Sequence, residues 1–297
     1  MATTTIIDNL KHRYKTGTVL TRLIFINVGV FIVLKAISVI FTLLKINVFD
    51  VITFLGVPSS VYTLLHRFWT PFTYMFVHEG FLHILFNLLW LYWFGRMFMQ
   101  YFSGRTLGSL YVLGGLAGAA LYILAFNTIP HYVDMGRGWL IGASASVMAI
   151  VMGVAFYRPD LRLNMLLIGQ IKIIYIAIFV FVLDFLSLGN EANPGGHVAH
   201  IGGALLGYLF AVQYRKGKDI TAWISPMIDW FVNLFKPRKK KSKMKVEYAR
   251  HETDWEYNKR RNDEQAEIDA ILDKLKQSGY SNLSSEEKRK LFDASKK

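Results

Sequence analysis

Residues 197–213 read His-Val-Ala-His-Ile-Gly-Gly-Ala-Leu-Leu-Gly-Tyr-Leu-Phe-Ala-Val-Gln. The stretch contains no Asp, Glu, Lys or Arg, and it is nearly long enough for a helix that crosses a bilayer. Gly203 and Gly207 are about one helical turn apart, a spacing that lets a second helix approach the backbone closely. His200 precedes them, and an ionisable group inside a span is costly enough to be a functional hypothesis. The stretch therefore predicts a tightly packed membrane helix with chemistry near one end.

Five other apolar stretches accompany it, so the predicted fold class is all-α: a polytopic membrane protein with six transmembrane helices in one bundle. A span needs about 20 mainly apolar residues. The first stretch is too long for the core of a signal peptide and lacks an obvious cleavage site, so we interpret it as a retained span. The predicted spans are about Leu20–Leu44, Leu82–Tyr101, Leu107–Phe126, Ile141–Tyr157, Met165–Leu188 and Val198–Gln213.

Composition divides the chain into an apolar membrane region and a charged, water-exposed C-terminal tail. Apolar residues make up 53% of the 297 residues and charged residues 19%, whereas soluble domains have about a quarter charged residues. The densest cluster of the excess positive charge, within a formal net charge of +13, lies after the last apolar stretch, in Lys236-Pro-Arg-Lys-Lys-Lys-Ser-Lys243. A basic cluster beside a span predicts contact with anionic lipid, and we expect no nucleic-acid partner. The absence of cysteine excludes disulfides, thiolate metal sites and cysteine nucleophiles.

The distribution of basic residues predicts the orientation. Basic residues occur before span one, between spans two and three, between spans four and five, and after span six. The opposite loops are poorer in basic residues, with Arg67 in the long first loop and Arg137 between spans three and four. Because Lys and Arg concentrate on the cytoplasmic side, both termini of a multi-pass protein are expected in the cytoplasm.

Four regions follow from these patterns. Residues 1–19 are predicted as a cytoplasmic N-terminal segment and residues 20–214 as the membrane domain. Residues 215–266 are predicted as a basic amphipathic helix, at about Ala222–Phe235, followed by a linker. Residues 267–297 are predicted as a small cytoplasmic helical hairpin. In that hairpin Gly279 marks a helix stop, and Ser284 with Glu287 forms a capping box for the next helix.

Two spans carry further polar groups that could act together. His83 and Asn87 are four residues apart and share one helix face, where both side chains can donate hydrogen bonds. Ser144 lies in the first turn of span four, where backbone N–H groups lack intrahelical partners and could stabilise an oxyanion. Taken singly, each is more often a contact between helices, and Gly-Ala-Ser runs are common packing surfaces.

A base for Ser144 is the next requirement. If span six packs against span four, His200 would lie at the depth of Ser144 and could accept its proton. His197 is nearer the loop and is the weaker candidate. Asp184 could orient a histidine, but it could equally cap its helix or pair with a loop group, and we favour that structural role because no spacing connects it with His200. His78 and His83 do not form a His-Glu-x-x-His pattern, so no metal site and no cofactor are predicted.

Together these segments resemble the rhomboid family of intramembrane serine proteases, over about residues 20–214. The resemblance lies in three motif segments, which occur in order near the predicted outer ends of their spans. Each is modest alone, and the three in order are specific. They are His78-x4-His83-x3-Asn87, Gly142-x-Ser144 and Ala199-His200-x2-Gly203-x3-Gly207. The tail from Ile268 to Leu291 is similar to a short domain of some bacterial rhomboids, and the resemblance therefore implies a multi-pass protein of a bacterial inner membrane.

The resemblance implies a role for each matching residue. Ser144 would be the nucleophile and His200 the general base and acid, in a dyad that requires no acidic residue. The Ser144 amide, His83 and Asn87 would form the oxyanion hole. The supporting positions are Gly142, which would allow a tight turn, Gly203 and Gly207, which would bring two helices together, and His78. The sequence departs from the family at Ala145, where glycine is commoner, and at Met148, where an aromatic residue often stacks on the histidine.

The implied function is peptide-bond hydrolysis in or near transmembrane segments of single-span or polytopic membrane proteins, through an acyl-enzyme. One alternative is a rhomboid-like protein that binds membrane clients without cutting them, which would need neither nucleophile nor base. Another is a transporter or channel, a class that often shows repeated halves or interrupted helices, which are not apparent here.

Overall fold

A computed structural model of the protein describes residues 5–45, 49–165, 169–190, 193–234 and 254–294. The chain divides into two compact units, Met1–Lys236 and Pro237–Lys297. The elements of the first unit are α1 (Ile6–Thr16), α2 (Val19–Leu43), α3 (Phe49–Leu55), β1 (Val57–Pro58), α4 (Val61–His66), α5 (Thr70–Thr73), a 3-10 turn (Tyr74–Phe76), α6 (Phe81–Phe98), α7 (Gly104–Thr128), α8 (Pro130–Asp134), β2 (Trp139–Leu140), α9 (Ser144–Tyr157), β3 (Arg162–Met165), β4 (Gly169–Lys172), α10 (Ile173–Leu186), α11 (Pro194–Arg215) and α12 (Ser225–Leu234).

Four helices in the described ranges are long and apolar enough to cross a membrane, namely α2, α6, α7 and α11. Helices α9 and α10 are also apolar but have 14 residues each, or about 21 Å at 1.5 Å per residue. The prediction of an all-α polytopic membrane fold is confirmed. The count of six spans stays a prediction.

Helix α9 forms the centre of the bundle, between α7 and α11. Every residue from Ala145 to Ala155 is buried. Backbone contact explains how three helices pack so closely: a Cβ added at Gly203 or Gly207 of α11 would overlap the carbonyl of Ala145 or Ala149 of α9. Spans four and six therefore pack against each other at these glycines.

Helix α10 is more peripheral than α9. Its apolar side chains Phe179, Phe185 and Leu186 are exposed, and its buried residues are Ile173, Ala177 and Asp184. A peripheral apolar helix fits contact with lipid, in which exposed apolar side chains cost nothing. One polar group on such a helix, Asp184, therefore points to a specific partner within the bundle.

The predicted start of span five at Met165 is wrong. Strands β3 and β4 form an antiparallel hairpin in which Arg162 pairs with Lys172, and α10 begins only at Ile173. Gly169 has a φ of +82°, a conformation that favours glycine, and ladder hydrogen bonds of the hairpin replace those of a helix. A second pairing, between β1 and β2, connects the first loop with the segment that precedes α9.

Helix α12 falls within the amphipathic stretch predicted at 222–235. Ser225 contacts Ser109 of α7 through their hydroxyls at 2.8 Å, and Asp229 forms a 3.0 Å ion pair with Arg105. Trp223, just before the helix, and Trp230 within it are exposed. The helix is thus held to the bundle by polar contacts and leaves aromatic side chains uncovered.

The second unit contains α13 (Asp254–Ser278), a 3-10 turn (Tyr280–Asn282) and α14 (Ser285–Ala294). The capping box is confirmed: the Ser284 N–H donates to Glu287 Oε2 at 2.6 Å, and the Glu287 N–H donates to Ser284 Oγ at 3.2 Å. Gly279 has a φ of +77° and follows α13, as expected of a helix stop. Helix α13 begins earlier than the predicted hairpin, and residues 235–253, which include the whole basic run at 236–243, lie outside the described residues.

Candidate active site

Ser144 is the first residue of α9, and the backbone before it makes a sharp turn. Gly142 has a φ of +114°, which side chains rarely tolerate, and its N–H donates to the Tyr74 carbonyl at 3.0 Å. A Cβ added at Gly142 would lie 2.8 Å from His83 Nε2. The helix has no side-chain N-cap within the described residues, so its first amides have no such acceptor. The turn thus exposes amides that could bind an oxyanion.

His200 lies in the second turn of α11. The helix begins with Pro194 after Asn193, whose side-chain Oδ1 accepts from the Gly196 N–H at 3.2 Å. His200 Nδ1 and Asp184 Oδ1 are 2.9 Å apart, and His197 Nδ1 is also 2.9 Å from the same oxygen. An ionised carboxylate can only accept, so both Nδ1 atoms carry protons. The Nε2 atom of His200 is then free to accept a proton from a nucleophile.

The structure therefore connects Asp184 with His200, although sequence reasoning favoured a capping or loop role for the acid. Its partners are on another helix, and no sequence spacing could reveal a contact between α10 and α11. The available signal was an acid within an apolar stretch, which generally has a partner. Asp184 is only 7% exposed.

His83 and Asn87 lie on the same face of α6, as predicted. Asn87 Nδ2 donates to the His83 carbonyl at 2.9 Å, which leaves its second N–H available. The rings of His78 and His83 meet edge to face, with centroids 5.0 Å apart. Burial lowers the pKa of His78, which precedes α6, to about 4, and the His83 ring adds to this shift. His78 is thus a neutral buried support for His83 near pH 7.

One cavity of about 920 Å³ brings these groups together. It is lined by predicted residues of three motif segments: Ser144, His200, His83 and Asn87. Asp184 and Met148 line it too. The predicted supporting residues are outside the lining. Gly203 and Gly207 pack α11 against α9, whereas Gly142 and His78 lie against His83. Sequence reasoning did not select several other lining residues, which carry no motif: Glu79, Trp90, Arg137, Trp139, Val180 and Asn193.

The carboxylate and the two histidines also form a set of possible metal ligands. One ligand atom each from Asp184, His197 and His200 can be chosen so that all lie within 4.8 Å of one another. Sequence spacing did not predict this set, because one member lies on a different helix from the other two.

Comparison with known sequences gives the family. A profile described as the Rhomboid domain matches residues 65–217, just over half of the chain. The chain belongs to the rhomboid family. A second profile, described as a family of unknown function (DUF6576), matches residues 251–297. The resemblance drawn from the three motif segments is thus confirmed at the level of the family.

Curated relatives of this rhomboid include proteins from plants and bacteria. RHOMBOID-like protein 12, mitochondrial, of Arabidopsis thaliana is 28% identical over 163 residues, which are 51% of this chain and 48% of that protein. Rhomboid protease GlpG of Haemophilus influenzae is 27% identical over 169 residues, 52% of this chain and 79% of GlpG. Inactive RHOMBOID-like protein 8 of Arabidopsis thaliana is 29% identical over 148 residues, 48% of this chain and 39% of that protein.

The chain spans half or less of the length of its plant relatives. One of the three relatives described is named a protease and another is named inactive. Family membership therefore supports an intramembrane protease or a related rhomboid activity. The choice between these two activities depends on the side chains that line the cavity of this chain.

Proposed function

We propose that this rhomboid is a serine-type endopeptidase that hydrolyses peptide bonds in or near the transmembrane segments of other membrane proteins. The observation that supports this best is the common cavity of Ser144 and His200, in which His200 also has a carboxylate partner. A protein that only bound clients would need none of these three groups.

The first half of the reaction forms an acyl-enzyme. Ser144 Oγ attacks the scissile carbonyl carbon while His200 Nε2 takes the hydroxyl proton. The resulting oxyanion accepts hydrogen bonds from the Ser144 amide, Asn87 and His83. When the carbon–nitrogen bond breaks, the imidazolium of His200 returns the proton to the leaving amine.

The second half consumes water. His200 removes a proton from a water molecule that attacks the acyl carbonyl, and Ser144 then leaves with that proton restored. The open cavity that Ser144 and His200 line gives water a route to this bond. Removing one oxyanion donor typically costs about 2.7–4 kcal/mol of barrier, so Asn87→Ala should be strongly impaired.

Asp184 serves this mechanism as a positioning residue. Its carboxylate keeps the proton of His200 on Nδ1 and stabilises the imidazolium that forms in each half-reaction. The residue thus supplies what an acid supplies in a triad, in a family whose motif resemblance implied only a dyad.

The proposed setting is a bacterial inner membrane, with both termini in the cytoplasm and substrates that are single-span or polytopic membrane proteins. The alternation of basic loops supports this orientation. We also propose that the basic run at 236–243, which lies outside the described residues, contacts anionic lipid and that no nucleic acid is bound.

The deciding experiment compares wild type with Ser144→Ala in lipid vesicles that contain a tagged single-span substrate. Ser146→Ala is the matched control, because Ser146 is two residues away, is fully buried outside the cavity lining, and places its hydroxyl 3.9 Å from Met75 Sδ. We expect cleavage by wild type and by the control but not by Ser144→Ala.

Two other results would count against the proposal. Cleavage by Ser144→Ala would remove the nucleophile assignment. If no protein cleaves and a serine-reactive fluorophosphonate fails to label wild type, the client-binding function becomes the better proposal. That alternative has a precedent in the relative named inactive.

A further inference from the structure

Two histidines of α11 and one carboxylate of α10 converge at a single point. His197 and His200 are three residues apart, so both rings lie on the same face of α11. Each Nδ1 is 2.9 Å from Asp184 Oδ1. The second oxygen, Oδ2, is buried and has no hydrogen-bond partner among the residues that the structure describes. The acid thus faces both rings and keeps an unused acceptor.

This donor set fits a zinc ion. Two imidazole nitrogens and one carboxylate oxygen leave one tetrahedral position open, as in catalytic zinc sites. With zinc–ligand distances of about 2.0–2.2 Å, tetrahedral ligands are roughly 3.3–3.5 Å apart. The two 2.9 Å contacts would need to lengthen by only about 0.5 Å, an adjustment that side-chain rotation can supply.

An ion has a route to these ligands. His197 and His200 side chains are each 20% exposed, and Asp184 and His200 line the 920 Å³ cavity. Glu79 and Arg137, which carry opposite formal charges, line the same cavity, so the charge that attracts a cation to these ligands is that of Asp184 itself.

We propose that Asp184, His197 and His200 bind Zn²⁺ and that the bound ion suppresses peptide hydrolysis. The suppression, but not the binding, rests on the proposed function. A neutral imidazole has one proton, and in the metal-free protein it lies on Nδ1 of His200. When Nδ1 binds the ion, that proton moves to Nε2, with no net gain or loss of protons. Nε2 then donates a hydrogen bond and no longer accepts the Ser144 proton.

Binding is tested first, without any need for activity. The full-length Ser144→Ala protein, purified with a histidine-free tag, is titrated with Co²⁺ and followed by visible absorption. We expect one saturating equivalent with a tetrahedral spectrum, and loss of that spectrum when Zn²⁺ is added. Adding His197→Gln or Asp184→Asn to the Ser144→Ala protein should weaken Co²⁺ binding at least about tenfold, because loss of even an outer-shell partner of a metal site usually costs that much affinity.

His66→Gln is the matched control, because His66 is exposed and its Nδ1 contacts its own helix at the Tyr62 carbonyl, 2.9 Å away. This control should bind Co²⁺ as the parent does. The site is refuted if no saturable spectrum appears, or if the spectrum is equally strong in His197→Gln and Asp184→Asn.

Suppression is tested next, in vesicles with wild type. Zinc should abolish cleavage and a chelator should restore it. His197→Gln, measured relative to its own metal-free rate, should need at least about tenfold more zinc for the same inhibition. Cleavage that continues with the ion bound would refute suppression and leave the site. Cobalt binding by a chain that neither cleaves nor reacts with the fluorophosphonate would uphold the site and refute the peptidase.

Discussion

At the residue scale, the sharing of Asp184 between two histidines is the arrangement with the most chemical content. Asp184→Asn keeps the side-chain volume but removes the charge that stabilises the His200 imidazolium. Its amide oxygen can still accept one Nδ1–H. We expect kcat for a transmembrane substrate to fall by roughly ten- to a hundredfold, with KM little changed, because the group does not contact the substrate.

Asp160→Asn is the control for that substitution. Asp160 is an exposed acid outside the cavity, and Arg158 holds it in a bidentate ion pair. It should retain wild-type kinetics. Equal kcat for Asp184→Asn and wild type would mean that Asp184 has a structural role only.

Residue identity was predictable where a motif carried it. Ser144, His200, His83 and Asn87 were selected from the sequence and line one cavity. Trp139 also lines that cavity, but it arrives through the pairing of β1 with β2, two strands of two residues each. Such short strands leave no periodicity, so nothing in the sequence indicates that this side chain reaches the site.

At the element scale, the contact between α9 and α11 is the one most sensitive to side-chain size. Gly203→Ala would place a methyl group against the Ala145 carbonyl and push α11 away from α9. Because that shift separates His200 from Ser144, we expect at least a tenfold loss of cleavage together with a lower apparent Tm.

Gly29→Ala tests whether the loss comes from crowding. Gly29 is in the middle of α2, and a Cβ added there meets no atom within 4 Å. Alanine favours helix by about 1 kcal/mol over glycine, so this control should be at least as stable as wild type. If Gly203→Ala and Gly29→Ala show the same cleavage rate and apparent Tm, the close approach at Gly203 is not required to hold His200 near Ser144.

Element boundaries were predictable when polar residues ended an apolar stretch. Span one was predicted at about Leu20–Leu44, and the helix is Val19–Leu43, with Thr18 accepting from the Thr21 N–H at its start. Span five failed because Met165 and the apolar residues after it could continue either a strand or a helix. Residues Gly169–Lys172 form a strand because they pair with Arg162–Met165, and that pairing is not visible in the sequence.

At the scale of the whole molecule, orientation can be tested cleanly because the chain has no cysteine. Lys218→Cys lies after α11 on the predicted cytoplasmic side, and Asp134→Cys ends α8 on the opposite side. Both positions are exposed. An impermeant thiol reagent applied to intact cells should label Asp134→Cys alone, and Lys218→Cys only after the cells are opened. The reverse pattern would overturn the proposed topology.

The bond between Asp184 and His200 joins the peripheral helix α10 to the histidine that we propose as the general base. Helix α9 cannot yield easily, since α7 and α11 clasp it at the backbone. A substrate that displaces α10 on its way in would therefore also withdraw the carboxylate from His200. The position of α10 that admits a substrate would then differ from the position that keeps Asp184 bonded to His200. A displaced α10 would leave His200 without its carboxylate partner until the helix returned to the position seen here.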